Sequence, residues 1–298
     1  MTDQQSPTAA PEPQSAPQPA PQPELQPDTP LPPQIAPKGS AKAKAMNIAA
    51  ARHALPFVLW LGIMALAHAM HLTTGSTSEI AESLNLISDA GMYTVRTVLC
   101  VVALFILRPW RYYGALQKKN ILPAIGIGLA VFALWVGFET ELFKKIAPGL
   151  AELYERWCVD PFGALGELRE TSAEISAANT PYAPAICGWP LTIFRLIGSA
   201  LVISVIEEFF WRGYLLRTAK TPDFLDLDVG YYNPLIFFGV AIVFGLEHVE
   251  VVAGAITGVI YGFLYIKTRD IWAASIAHIT TNLALGIYVL ATGKWWFW

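Results

Sequence analysis

Of the 298 residues in the chain, 54% are hydrophobic and only 14% carry a charged side chain. A soluble domain carries about 25% charged residues, so the composition excludes an ordinary soluble protein and indicates an integral membrane protein. The formal net charge of −3 says little about partners, because the charges are segregated along the chain, and we predict no nucleic-acid partner. The partner that this composition does imply is the lipid bilayer.

The first 45 residues form a tract rich in Pro, Gln, Ala and Ser that holds 12 of the 22 prolines. Such a composition cannot bury enough apolar surface to offset the entropy lost on ordering, and proline favours extended conformations. The tract also lacks the basic start and early apolar core of a secretory signal. We therefore predict a disordered Pro-rich cytoplasmic tail over residues 1–45 and a membrane domain over residues 46–298.

Seven apolar runs follow in the membrane domain. A helix that crosses a ~30 Å hydrocarbon core needs about 17 to 25 apolar residues, and six of the runs reach or approach this length. The fifth run, of 14 residues, is too short to cross alone. The runs are residues 54–72, 88–107, 121–138, 191–216, 234–247, 251–266 and 271–291. They predict an all-α fold, a polytopic membrane helical bundle of about seven transmembrane or re-entrant helices.

Basic residues alternate between the two ends of these runs. They cluster before the first run and after the second, fourth and sixth, whereas the loop at residues 73–87 has none. Short cytoplasmic loops carry an excess of Lys and Arg. The alternation therefore predicts a cytoplasmic N-terminus and a C-terminus on the outside.

The outer loop at residues 139–190 carries apolar side chains at helical spacing, with charges between them. This pattern predicts one or two helices on the membrane surface, broken at Pro148-Gly149. Both an interfacial connector and a flap that grips the substrate fit the pattern. The loop also holds Cys158 and Cys187. A disulfide between them is one option if the loop faces an oxidising compartment, but the sequence favours two unpaired thiols.

Three glycines in the sixth run, Gly254, Gly258 and Gly262, recur every four residues. Small residues at this interval let two membrane helices approach closely. We interpret them as a packing surface and not as part of a chemical site.

The fourth run carries three charged residues in its apolar interior, namely Glu207, Glu208 and Arg212. A charged side chain at the bilayer centre costs at least about 2.5 kcal/mol on insertion scales, so three within six residues need a reason. On a helix, Glu208 and Arg212 lie four residues apart on one face, and Glu207 is rotated from them by about 100°. One carboxylate can therefore pair with the arginine while the other points elsewhere.

The later runs and the turn after the fifth add Glu247, His248, Glu250, His278 and Asn282. At about 1.5 Å per helical residue, Glu207, His278 and His248 lie roughly 15, 10 and 22 Å from the cytoplasmic side. This spread is no larger than the error in helix ends and tilt, so these groups can meet near mid-membrane. Buried polar residues on separate helices at compatible depth favour a functional site. A structural network of interhelical hydrogen bonds is the alternative.

Three motifs follow one another along these runs: Glu207-Glu208-x-x-x-Arg212, Phe244-x-x-x-His248 and His278-x-x-x-Asn282. Together they resemble the signature of the CPBP (Abi) family, which includes the type II CAAX prenyl endopeptidases. The chain is most similar to the bacterial CAAX protease-related branch, and the resemblance covers about residues 191–291. It implies a protein of the bacterial inner membrane with a cavity that opens to the cytoplasmic side.

An intramembrane endopeptidase is the activity that the resemblance implies, acting on a membrane-embedded or membrane-anchored peptide. By matching positions, the resemblance implies that Glu207 is the general base and activates water together with His248. Glu208 and Arg212 would support these two side chains. His278 and Asn282 would stabilise the oxyanion. The residue chemistry agrees, because a positioned carboxylate and imidazole can activate water without a Ser or Cys nucleophile. Asn and His donors suit a developing oxyanion in a dry site.

Metal-assisted hydrolysis is the alternative chemistry, with Glu207, His248 and His278 as zinc ligands. Two adjacent acids beside an arginine make a poor dedicated zinc shell. A mechanism without a metal or another cofactor is therefore favoured.

Two other functions stay open on the sequence. A non-catalytic scaffold or immunity-type membrane protein would bind a peptide or partner in the same cavity. A transporter or proton path would use the buried acids, although the chain has no recognisable inverted repeats or broken helices in matching halves.

Overall fold

The computed structural model describes residues 39–74, 89–157 and 180–298. Within these residues the chain forms nine α-helices and no strand. The helices are α1 (Ser40–Thr74), α2 (Asp89–Leu107), α3 (Ile121–Gly137), α4 (Glu141–Ile146), α5 (Pro148–Trp157), α6 (Pro184–Thr218), α7 (Pro234–Leu246), α8 (Val251–Thr268) and α9 (Ile271–Thr292). Most of the predicted tail, and Cys158 of the predicted cysteine pair, lie outside the described residues.

Six of the described helices, namely α1, α2, α3, α6, α8 and α9, are long and apolar enough to cross a membrane. Helix α7, with 13 residues, is apolar but shorter, as the fifth run predicted. These helices confirm the predicted all-α polytopic bundle, and the protein is an integral membrane protein.

Helix α1 begins at Ser40, inside the tract for which the composition predicts disorder. The last proline of that tract is Pro37, and Ala and Lys residues follow it. Both residue types favour a helix, so the helix extends well before the first apolar run. The domain boundary at residue 45 stays a prediction.

Helix α6 is not a uniform α-helix. Two stretches of it, Gly198–Ile203 and Phe209–Leu215, are π-helical, and they flank the turn that carries Glu207 and Glu208. Gly188 near its start has a φ of 79°, a conformation that strains any residue with a side chain. Wider π-turns inside α-helices are frequent at functional sites.

The loops between the helices gather at two ends of the bundle. At the basic end, defined here as residues 39–53, 108–120, 217–233 and 267–272, Lys42 Nζ lies 2.6 Å from Asp226 Oδ2. At the same end Asn120 Nδ2 donates to Asp270 Oδ2 at 3.0 Å. The opposite end comprises residues 138–157, 180–190, 247–250 and 293–298, and here Ala183, Val289 and Trp295 pack together. This grouping is the one that the alternation of basic residues predicts.

Helices α7 and α8 form a tight hairpin. Gly254 faces Gly245 across the interface, and Gly258 faces Ala241. A Cβ atom on Gly258 would lie 3.0 Å from Ala241 Cα, closer than two carbon atoms normally pack. The glycine stripe of α8 is therefore a helix-packing surface, as its spacing predicts.

The described part of the outer loop contains two short helices. Helix α4 ends at Ile146 and α5 begins at Pro148, so the predicted break falls where the sequence places it. Thr140 caps α4, since its side chain accepts a hydrogen bond from Phe143 N at 3.2 Å.

Candidate active site

The first and third motifs meet in a buried ion cluster. Arg212 Nη1 donates to Glu208 Oε1 at 2.8 Å, and His278 Nδ1 lies 2.9 Å from the same oxygen. Since a carboxylate can only accept, the imidazole donates there. The side chains of Glu208 and Arg212 are 0% and 3% exposed. Glu208 is therefore the carboxylate that pairs with the arginine, as the spacing of four predicts.

Arg212 connects three helices. Besides its bond to Glu208 on α6, its Nη2 donates to the carbonyl oxygen of Gly258 on α8 at 3.3 Å. Its guanidinium carbon lies 4.4 Å from the ring centroid of Phe244 on α7. A buried ion pair is stable only where further hydrogen bonds satisfy its remaining donors, and a cation over an aromatic face is attracted to it. The Phe of the second motif is thus a partner of the Arg of the first.

Glu207 stands in a different environment from its neighbour. The residue is only 6% exposed, yet its Oε2 makes no hydrogen bond to any residue that the structure describes. That oxygen lies 3.9 Å from His278 Nε2, beyond direct hydrogen-bond range. Glu247 lies close enough to interact with it electrostatically. Glu207 is thus a buried carboxylate with a free oxygen directed at His278.

His248 lies in the turn between α7 and α8. Its Nδ1 lies 2.8 Å from the carbonyl oxygen of Phe244, which can only accept, so Nδ1 carries a proton. In the neutral ring, Nε2 then holds the lone pair. The ring packs edge-on against Trp135 with centroids 5.4 Å apart. It also shares Phe244 with His278, at centroid distances of 4.8 and 6.1 Å respectively.

Asn282 lies one turn after His278 on α9, but it contacts α6. Its Nδ2 donates to Ser199 O at 3.1 Å and to Ser204 Oγ at 3.0 Å. Ser199 belongs to the first π-helical stretch of α6. In this arrangement Asn282 holds α6 against α9. Its role as an oxyanion donor stays a prediction, and it requires the amide to exchange these bonds for bonds to substrate.

The described residues contain no group of three or more His, Cys, Asp or Glu side chains placed to hold a metal ion. The predicted zinc alternative at Glu207, His248 and His278 would require these side chains to rearrange. His278 uses its Nδ1 to donate to Glu208, so only its Nε2 is available to a metal ion. Metal independence of the reaction stays a prediction.

A contact from the outer loop reaches the same region and was not predicted. Tyr154 on α5 donates from its hydroxyl to Glu250 Oε2 at 2.5 Å, in the turn that carries His248. Phe138 stacks on Tyr154 with centroids 4.4 Å apart. The sequence places Tyr154 in the outer loop, and no local pattern links it to a partner 96 residues away.

Comparison with known proteins agrees with the motifs. Residues 189–284 match the family described as type II CAAX prenyl endopeptidase Rce1-like. The matched segment contains all three motifs, and the match confirms the resemblance that they carry. The general activity of this family is that of a CAAX intramembrane protease. No curated protein and no solved structure matches the chain.

Proposed function

We propose that this protein is an intramembrane endopeptidase that hydrolyses a peptide bond with water activated by Glu207 and His248. The proposal starts from the match of residues 189–284 to the Rce1-like family of type II CAAX prenyl endopeptidases. The observation that carries the proposal is the contrast between two adjacent carboxylates. Glu208 Oε1 accepts from both Arg212 and His278, and only its Oε2 is left without a hydrogen-bond partner in the described residues. Glu207 Oε2 is likewise buried without such a partner, but its carboxylate is not tied to an arginine, and it lies 3.9 Å from His278 Nε2. A buried carboxylate that is not paired with an arginine can accept a proton from a water molecule.

In the proposed reaction, Glu207 accepts a proton from a water molecule whose oxygen attacks the carbonyl carbon of the scissile bond. His248 orients this water. Its Nδ1 donates to Phe244 O, so its Nε2 is left to accept a hydrogen bond from the second O–H of the water. The tetrahedral intermediate then collapses as Glu207 returns the proton to the leaving amine. No covalent intermediate with the enzyme is needed.

The oxyanion of the intermediate requires donors at short range. His278 Nε2 lies 3.9 Å from Glu207 Oε2. Because Nδ1 already donates to Glu208, Nε2 can donate to the oxyanion only in the imidazolium form of the ring, and the proposed role of His278 is that of the protonated ring. Arg212 contributes through Glu208, which fixes the orientation of the His278 ring. We assign Glu208 and Arg212 to positioning, and His278 to the transition state together with Asn282 once substrate is bound.

The proposed substrate is a peptide that is embedded in the membrane or anchored to it. The site side chains come from α6, α9 and the α7–α8 turn; α6, α8 and α9 are apolar and long enough to cross a membrane, and α7 is a shorter apolar helix. In the proposed orientation the basic end faces the cytoplasm of a bacterial cell, and the protein lies in the inner membrane. This orientation follows from the excess of Lys and Arg at that end.

The test is cleavage of internally quenched peptides by the full-length protein purified in detergent. One peptide carries an S-prenylated cysteine followed by three residues, and its partner lacks the prenyl group. Glu207→Gln keeps the shape of the side chain but cannot accept a proton, so kcat is expected to fall by roughly 10²- to 10⁴-fold. Glu152→Gln, an exposed position on α5, serves as the control and is expected to leave kcat unchanged.

Unchanged cleavage by Glu207→Gln would contradict the assignment. Repeating the assay with an excess of chelator, and measuring the metal content of the protein, separates the two forms of water activation. Activity that survives chelation agrees with the Glu/His mechanism, whereas activity lost on chelation and restored by zinc would favour the metal-assisted one.

A further inference from the structure

Two arginines share one aromatic cluster towards the opposite end of the bundle, away from Glu207. Arg96 on α2 has its guanidinium carbon 3.9 Å from the ring centroid of Trp60 and 4.9 Å from that of Tyr93. Arg195 on α6 lies 4.2 Å from the same Tyr93 ring and 4.5 Å from that of Tyr182. Both guanidinium groups lie against the ring of Tyr93, and the positive charge of Arg195 acts on Arg96 within this cluster.

Neither arginine forms an ion pair with a described residue, although Asp89 at the start of α2 interacts electrostatically with Tyr182 of the same cluster. Arg96 is only 9% exposed, and Arg195 is partly exposed. The Nε atoms of both arginines and the hydroxyl of Tyr93 are buried and have no hydrogen-bond partner in the described residues. Three polar groups on one cluster are therefore left with unused hydrogen-bonding capacity.

Aromatic rings alone do not offset this burial. A cation–π contact contributes about 0.5 to 2 kcal/mol, whereas removing an ion from water costs several kcal/mol. Repulsion between two like charges adds to that cost. An anion held between the two guanidinium groups would satisfy the free donors and neutralise the repulsion.

We propose that Arg96 and Arg195 together bind one phosphate group, supplied by the headgroup of an anionic phospholipid. The planar fork of a guanidinium matches phosphate oxygens in bidentate geometry, and two forks can hold one phosphate. Basic pockets between membrane helices bind anionic headgroups. The indole of Trp298 lies 5.8 Å from Arg195, and tryptophan is enriched at the level of the headgroups. Bound lipid would tie α2 to α6, the helix that carries Glu207.

The experiment measures thermal unfolding of the full-length protein in a neutral detergent. The probes are dihexanoyl phosphatidylglycerol, dihexanoyl phosphatidylcholine and inorganic phosphate. A ligand that binds only the folded state raises the unfolding midpoint, by roughly 5 °C when its concentration exceeds the Kd about 100-fold. We expect this rise with phosphatidylglycerol and not with phosphatidylcholine, whose choline cation is repelled by the arginines.

Arg96→Gln and Arg195→Gln remove one charge each and are expected to weaken phosphatidylglycerol binding at least about tenfold. Lys294→Gln is the matched control, since Lys294 also lies over aromatic rings at the same end, 5.6 Å from Tyr288 and 5.7 Å from Trp296. It is expected to bind like the parent protein. If the glutamine variants do not fold, Arg96→Lys and Arg195→Lys replace them, because they keep the charge and lose the fork.

A midpoint shift with phosphatidylglycerol alone supports a lipid headgroup at the site. A shift with inorganic phosphate as well supports the same site with free phosphate as a second source. An equal shift with phosphatidylcholine, no shift with any probe, or binding retained by both arginine variants would overturn the proposal. None of these readouts depends on peptide cleavage, so they stand apart from the proposed protease activity.

Discussion

Glu207 and Glu208 are neighbours in sequence, yet the bundle gives them opposite environments. Glu208 accepts bonds from Arg212 and His278 through one oxygen, at 2.8 and 2.9 Å. Glu207, rotated by about 100° on the helix, faces His278 Nε2 without a direct hydrogen bond. Two consecutive residues thus supply one carboxylate that is bound by the arginine and one that we propose to be reactive, because one arginine can serve only one of them.

Arg212→Lys tests whether the fork of the arginine matters or only its charge. A lysine can replace the bond from Nη1 to Glu208 but cannot also reach Gly258 O, and it presents no planar group to Phe244. We expect kcat to fall about tenfold and the unfolding free energy to fall by about 1–3 kcal/mol. The readouts are peptide cleavage and thermal unfolding.

The control for this substitution is Arg269→Lys. Arg269 forms an exposed pair with Asp228 at 3.2 Å, and its side chain is 63% exposed. Exposed pairs contribute only about 0–1 kcal/mol, so this variant should match the parent in both readouts. Full activity in Arg212→Lys would show that charge alone suffices and that the contacts to α7 and α8 are dispensable.

At the scale of elements, the α7–α8 hairpin sets the position of His248. Helix α7 ends at Leu246, and the turn that follows carries the histidine before α8 begins at Val251. Close packing at Gly245 and Gly254 brings the two helices together directly below this turn. Glu250 in the same turn is held from outside by Tyr154 of α5. The α7–α8 turn is therefore held both by the packing of Gly245 against Gly254 and by the hydrogen bond from Tyr154 to Glu250.

Gly245→Ala is expected to displace that turn. A Cβ atom at this position would lie 2.5 Å from Val251 O and 2.8 Å from Ala255 N, and backbone atoms cannot move aside cheaply. We expect a loss of about 1–3 kcal/mol in unfolding free energy and a lower kcat, measured by thermal unfolding and peptide cleavage.

Gly239→Ala on the same helix is the matched control, because nothing lies within 4 Å of its added Cβ. Alanine favours a helix over glycine by about 1 kcal/mol, so this variant should be as stable as the parent or more so. Equal behaviour of the two variants would mean that the close contact at Gly245 does not control the turn.

Local spacing predicts some of these features and not others. The pairing of Glu208 with Arg212 follows from a separation of four on a helix, and the packing role of Gly258 follows from its repeat. The residues of the site were also recognisable, because three motifs occur in order on apolar runs. Each of these signals resides in a few neighbouring residues.

Other features depend on contacts between distant parts of the chain, and sequence periodicity does not report them. The bond from Tyr154 to Glu250 and the shared ring of Arg96 and Arg195 arise only when separate helices pack. The amide of Asn282 is directed to Ser199 by the π-helical turn of α6. No pattern in the sequence marks that π-helical turn.

At the scale of the whole molecule, the described loops separate into a basic end and an opposite end. Lys42 and Asp226 meet at one of them, and Ala183 and Trp295 meet at the other. The structure establishes which loops share an end. The excess of Lys and Arg supports the assignment of the basic end to the cytoplasm.

Cysteine labelling in intact bacterial cells tests this orientation. In a variant without the three native cysteines, Asp223→Cys marks the basic end and Lys294→Cys marks the opposite end. A membrane-impermeant maleimide should label Lys294→Cys in intact cells and Asp223→Cys only after the cells are made permeable. The reverse pattern would contradict the proposed orientation.

The central claim is that Glu207 on α6 and His248 on the α7–α8 turn act together on one water molecule. The most direct test is single-turnover peptide cleavage by Glu207→Gln, by His248→Gln and by the double variant. Residues that act as a unit show strongly non-additive losses. We predict that the double variant cleaves about as slowly as the slower single variant, whereas a double variant whose loss equals the product of the two single losses would contradict the claim.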